Sequence, residues 1–146
     1  MLELYQELIL DHARHPRNKR SMEDADQQAE GFNPLCGDRV IVYVKLEQGT
    51  VRDVSFQGSA CAICTASASL MTQHLKGLSR SLALAAFTAF HNMLTKENGE
   101  PPPEFEKLTA LSTVRKYPMR VKCATLPWHT FKAALDAETE PVTTES

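Results

Sequence analysis

The chain contains no run of 18 apolar residues, so no membrane-spanning helix is expected. It has no basic excess. Sixteen Lys and Arg stand against 18 Asp and Glu, a formal net charge of -2. That balance argues against a nucleic-acid partner. No long tract of one sign suggests an interaction tail. The N-terminal Met1-Leu2-Glu3-Leu4-Tyr5 lacks the basic region and apolar core of a signal peptide, which predicts a cytoplasmic protein. There is no internal repeat and no sign of a second domain. Cysteine is scarce: there are four. In a reducing compartment four cysteines point to metal binding or catalysis rather than to disulfides.

What is present suits one globular domain with its own core. The chain has 146 residues, 42% of them hydrophobic and 23% charged. Residues 2–15 read as an amphipathic helix, with Leu4, Tyr5, Leu8, Ile9 and His12 on one face, stopped by Pro16. His12 and His15 have a spacing that could hold a metal. The better reading packs His12 inward and leaves His15 at the helix C-terminus. Residues 21–31 are polar and acidic and read as a loop with a short edge strand near its end. Residues 40–46 and 51–57 alternate and are rich in β-branched side chains, so they predict an antiparallel hairpin turning at Gly49. Val54 and Phe56 would share one face, with Val51, Asp53 and Ser55 on the other. Ser59 is the expected N-cap of a helix ending near Gly77, its first turns crowded with Ala, Ser and Thr that allow close approach. A further helix over residues 79–94 would bury Leu82, Ala86, Phe87, Phe90 and Leu94. Residues 95–103, with Asn98-Gly99 and three consecutive prolines, form a loop. A shorter helix is expected over residues 104–116. Beyond the break at Tyr117-Pro118 the last helix either starts late, with Pro127 in its first turn, or kinks there. The fold class expected is α+β: a small antiparallel sheet of about three strands packed by helices over residues 1–135, with a flexible polar tail over residues 136–146.

The chain is organised around Asn33-Pro34-Leu35-Cys36-Gly37-Asp38-Arg39. If this segment enters a strand, Cys36 and Asp38 point to the same side. The hairpin brings the position before its first strand beside the position after its second, and so Cys36 beside Cys61. Cys123 is the remaining candidate ligand, and Cys64 is a spare. Three thiolates and a carboxylate suit tetrahedral zinc or a small iron–sulfur cluster. The carboxylate is the weaker partner for a soft metal, so the set reads as exchangeable. With a divalent ion the site would stay net negative, and Arg120 and Lys122 flank Cys123 as possible counter-charges. His74 and His91 are read as ordinary surface or satisfied side chains. Cys64 forms Cys-Ala-Ile-Cys with Cys61. It could be an alternate ligand, a disulfide partner of Cys61 in a thiol redox protein, or a buried hydrophobe; the last is favoured.

Taken together, these residues resemble the SufU branch of the IscU/NifU N-terminal family of iron–sulfur cluster assembly scaffolds. The resemblance rests on Asp11-His12 with His15-Pro16-Arg17-Asn18-Lys19, on Asn33-Pro34 with Cys36-Gly37-Asp38-Arg39, on Ala66-Ser67-Ala68-Ser69 with Met71-Thr72, and on Arg120-Val121-Lys122-Cys123-Ala124-Thr125-Leu126 with Trp128. It spans nearly all of residues 1–135. Lys122 stands where IscU-type proteins have histidine, and the separation of Cys61 from Cys123 is longer than in that branch. Both features favour SufU.

The resemblance implies metal ligands at Cys36, Asp38, Cys61 and Cys123. It implies a zinc-dependent sulfurtransferase that accepts persulfide sulfur on Cys36 from a pyridoxal-phosphate cysteine desulfurase of the SufS kind. A side chain of that partner would displace one zinc ligand and free Cys36, and Arg120 would stabilise the released group. Downstream, SUF assembly components or apo-proteins would take the sulfur or cluster. The alternative it implies is a scaffold on which the same residues hold iron or a [2Fe-2S] cluster, with Asp38 easing its release.

Overall fold

A computed structural model describes residues 2–96, 99–137 and 140–143. The order is α1 (Leu2–Arg14), β1 (Gln27–Asn33), β2 (Asp38–Glu47), β3 (Thr50–Ser59), α2 (Ala62–Leu75), α3 (Arg80–Thr95), a 3-10 helix (Leu108–Val114), α4 (Pro118–Leu135) and β4 (Val142–Thr143). The four-stranded sheet runs β3-β2-β1-β4. The first three strands are antiparallel neighbours, as expected. The fourth was not: Val142 and Thr143 pair parallel with Gly31 and Phe32. The segment read as a flexible tail therefore returns to the sheet at this point. Residues 138–139 and 144–146 of that segment, and Asn98 of the predicted loop, lie outside the described residues.

Alternation in β2 buries Val40, Val42 and Val44 on one face. α4 packs across β1 and β2 on that face, and α2 packs between α4 and α1. The small residues of α2 permit this: Ala66, Ser67, Ala68 and Ser69 are all buried. Ser67 Oγ donates to the Ala124 carbonyl at 2.6 Å and accepts from Trp128 Nε1 at 3.2 Å, which ties α2 to α4. Trp128 stacks on Phe90, ring centroids 4.3 Å apart, and joins α3 to the same core.

Several local expectations shift. Cys61, not Ser59, caps α2. A bulge between Lys45 and Leu46 changes the hairpin register, and the segment joining α2 to α3 lies along the β3 edge through Val51 N–H to Leu78 O and Gly77 N–H to Val51 O. Val51 and Ser55 are therefore buried with Val54 and Phe56 rather than set apart from them. Leu82 is 58% exposed; α3 instead buries Ala83, Ala86, Phe90, Met93 and Leu94. The predicted helix over residues 104–116 is a 3-10 helix, in which Thr113 Oγ1 bonds back to Ala110 O. The last helix does not start late: α4 begins at Pro118 and carries Pro127 in its interior, not in its first turn.

His12 is 1% exposed, on the inner face of α1 as expected. Ser69 Oγ accepts from the Arg17 N–H at 2.9 Å and is hydrogen-bonded to His12 Nδ1 at 2.7 Å. Burial, and then the Arg17 charge, lowers the His12 pKa to about 4. The unfolded chain therefore takes up this proton first. The stability held by neutral His12 is complete above about pH 6.5 and is lost as pH falls toward 4. Denaturant titrations at a series of pH values should show a loss on the order of 3 kcal/mol across that window that His12→Asn does not share.

α4 lies close over Gly31 of β1. A Cβ there would sit 2.1 Å from Thr130 Oγ1 and 3.0 Å from a Leu126 methyl. Gly31→Ala should destabilise by about 1–3 kcal/mol through overpacking, and adding Thr130→Ala should restore part of the loss in thermal unfolding.

Candidate metal centre

Four segments meet at one end of the sheet. β1 ends at Asn33, and a tight turn follows, closed by the Cys36 N–H to the Asn33 carbonyl at 3.2 Å. Gly37 then adopts φ +72, a left-handed conformation that β-branched residues resist. This residue lets the chain reverse between Cys36, exposed on the turn, and Asp38, buried as the first residue of β2. The hairpin returns β3 beside that start, pairing Arg39 with Ser59. Cys61 follows as the N-cap of α2, its Sγ accepting from the Cys64 N–H at 3.4 Å. Cys123 reaches the same place from the second turn of α4 and is buried.

Cys36 Sγ, Cys123 Sγ and an Asp38 carboxylate oxygen all lie within 4.8 Å of one another. The two sulfurs are 3.4 Å apart. Asp38 divides its oxygens: Oδ1 accepts from the Cys61 N–H at 2.7 Å, and Oδ2 lies 3.8 Å from Cys61 Sγ. Cys61 thus stands at the rim of the triad, joined to it through Asp38 and through Cys123. The hydrogen bond that Cys123 donates is the main force lowering the Cys61 thiol to about 7, with help from the amides that open α2. The same hydrogen bond, then burial, raises the Cys123 thiol.

The other predicted residues are placed differently. Arg120 is exposed, and its guanidinium lies 4.6 Å from the Tyr117 ring centroid, a cation–π contact rather than a bond to the cysteines. Lys122 is partly buried on the same helix. Cys64 is fully buried with Val40, Cys123 and Leu126. Its thiol is raised by burial first and then by the negative charges of Asp38, Cys61 and Cys36. It behaves as an apolar neighbour of the centre. His15 is exposed; His74 packs edge-on to Phe105, and His91 packs against Phe87 and His129. Asn33 was missed as a participant. Its Nδ2 donates to Cys123 Sγ at 3.6 Å. Its place three residues before Cys36 was visible, but only the approach of α4 gives its side chain a partner.

Soft sulfur and hard oxygen together fit a four-coordinate zinc or an iron–sulfur cluster. Asp38 and Cys123 are buried, Cys61 is half-buried, and Cys36 is exposed. Gly37→Val should keep the surrounding core but strain the turn, costing about 1–2 kcal/mol and weakening metal binding, whereas Gly37→Asn, tolerant of positive φ, should retain most of both in parallel melting and zinc-titration experiments.

Residues 4–124 match the family model described as the NifU-like N terminal domain. The chain belongs to that family. It is 37% identical over 135 residues to the zinc-dependent sulfurtransferase SufU of Bacillus subtilis, covering 92% of this chain and 91% of that protein. It is 36% identical to the iron-sulfur cluster assembly scaffold protein IscU of Thermotoga maritima, covering 94% and 96%. Among solved structures it resembles a putative iron-sulfur cluster assembly scaffold protein for the SUF system from Fervidobacterium islandicum, with a TM-score of 0.79, 33% identity and coverage of 91% and 97%. Among the described residues no helix is long and apolar enough to cross a membrane.

Proposed function

We propose that this chain works in iron–sulfur cluster assembly as a sulfur acceptor, taking persulfide sulfur from a pyridoxal-phosphate cysteine desulfurase of the SufS kind. The proposed zinc ligands are Cys36, Asp38, Cys61 and Cys123. The observation that carries the reading is the asymmetry of the cluster: Cys36 is exposed on a turn while Asp38 and Cys123, within 4.8 Å, are buried. Likeness over most of its length to the B. subtilis SufU supports zinc and sulfur transfer.

Bound zinc would hold the thiolates deprotonated and protect them from oxidation between encounters. The chain's own residues supply the rest. The turn presents Cys36 beside Leu35, which is 55% exposed and available to a partner surface. Cys36 Sγ attacks the outer sulfur of the partner's persulfide. The old S–S bond breaks, its electron pair leaves on the desulfurase cysteine, and the outer sulfur stays on Cys36. No net oxidation occurs. Asp38 keeps the Cys61 amide in place and is the weakest ligand of the set, which suits exchange. Arg120 lies one helical turn before Cys123; to steady a released thiolate or carboxylate it would leave the Tyr117 ring. Downstream acceptors are SUF assembly components or apo-proteins.

A second reading has the same residues as a scaffold for a [2Fe-2S] cluster, supported by the comparable likeness to the T. maritima IscU. Metal analysis of protein purified without added metal separates the two: one zinc per chain favours the acceptor, and iron with acid-labile sulfide favours the scaffold. In a desulfurase assay Cys36→Ser should abolish stimulation, and Cys64→Ser should leave it largely intact. Equal loss in both variants would overturn the assignment of Cys36.

A further inference from the structure

Asn33 touches every member of the Cys36–Asp38–Cys123 group without being a ligand itself. Its carbonyl accepts from the Cys36 N–H at 3.2 Å and closes the turn. It pairs directly with Asp38 across β1 and β2. Its side-chain Nδ2 donates to Cys123 Sγ at 3.6 Å. The residue is fully buried, so this N–H cannot be replaced from solvent. Its own Oδ1 is buried and has no hydrogen-bond partner among the described residues. A fold that needed only volume here would be better served by an apolar side chain, because an unpaired buried acceptor is unfavourable. The amide N–H is what distinguishes asparagine at this position.

The three sulfurs therefore differ in what faces them. Cys61 accepts an amide N–H from Cys64. Cys123 accepts one from Asn33. Among the described residues no amide donates to Cys36 Sγ, whose contact is the Cys123 thiol. A hydrogen bond donated to a thiolate draws charge from the sulfur, stabilising it and lowering its nucleophilicity. We infer that Asn33 is a positioning residue of the metal centre: its N–H···S bond fixes Cys123 as the retained, less reactive sulfur and leaves Cys36 as the one that reacts. The inference rests on the reading of these residues as metal ligands; it does not depend on the identity of the sulfur donor.

Cobalt(II) loading of the full chain tests it. Removing the N–H donor in Asn33→Ala raises the donor level of the Cys123 sulfur, so the thiolate-to-cobalt charge-transfer band should move to lower energy. Cobalt affinity should fall by about tenfold. Asn33→Ser, which keeps a hydroxyl donor, should lie between Asn33→Ala and the parent chain, and it decides the matter if Asn33→Ala does not fold. In parallel, iodoacetamide labelling of the metal-loaded chain, read by peptide mapping, should modify Cys36 before Cys123 in the parent, with the preference reduced in Asn33→Ala. A merely structural role for Asn33 would lower stability without moving the band. An unmoved band in a folded variant, or Cys123 labelled as fast as Cys36 in the parent, overturns the inference while leaving the metal reading intact. Failure of the parent chain to bind cobalt overturns both.

Discussion

The carboxylate of Asp38 is the joint on which the centre turns. It is buried at the start of β2, and one of its oxygens holds the Cys61 amide at 2.7 Å. A buried carboxylate is unfavourable unless it is hydrogen-bonded or compensated by charge. Here the hydrogen bond comes from the backbone N–H of Cys61. The bond also locks the end of the hairpin to the beginning of α2. The end of the sheet and the start of α2, with Cys61, are thereby tied by a single side chain.

Around that joint the sulfurs occupy unequal environments. Cys61 sits in the electropositive opening of α2, Cys123 is enclosed between α4 and the sheet, and Cys36 rides on a turn at the surface. A metal bound by such a set would be sheltered on one side and open on the other. Structural zinc sites are closed by comparison. The proposed transfer of sulfur or cluster rests on this asymmetry.

α4 brings the most distant ligand into place, and it does so with an interior proline. Pro127 has no N–H, so the Cys123 carbonyl four residues earlier lacks its usual helical donor. Contacts from other elements hold this stretch. Ser67 bonds to Ala124 and Trp128, and Gly31 lets the helix descend onto β1. From Thr130, above Gly31, to Cys123 is seven residues of helix, about 10 Å. Over that distance α4 travels from the middle of β1 to its end, where Asn33 lies.

Much of the centre was legible in the residues alone. Alternation in β2 and β3 defines a hairpin, and a hairpin must bring the chain before it next to the chain after it, so the meeting of Asp38 with Cys61 follows from local pattern. The inward face of α1 with His12 follows from helical spacing for the same reason. The position of Cys123 does not follow: a helix starting late at Pro127 would leave Cys123 in a loop, and only the full length of α4, packed against α2 and the sheet, places it on a helix. The burial of Val51, the shift of the exposed face of α3 to Leu82, the return of Val142 and Thr143 to β1, and the bond from Asn33 to Cys123 likewise needed neighbours distant in sequence. Sequence alone specified which side chains could act and which local elements would carry them, because period and turn chemistry are short-range. Tertiary structure settled which sulfur is sheltered and which is exposed, because burial depends on what else the chain brings to the same place.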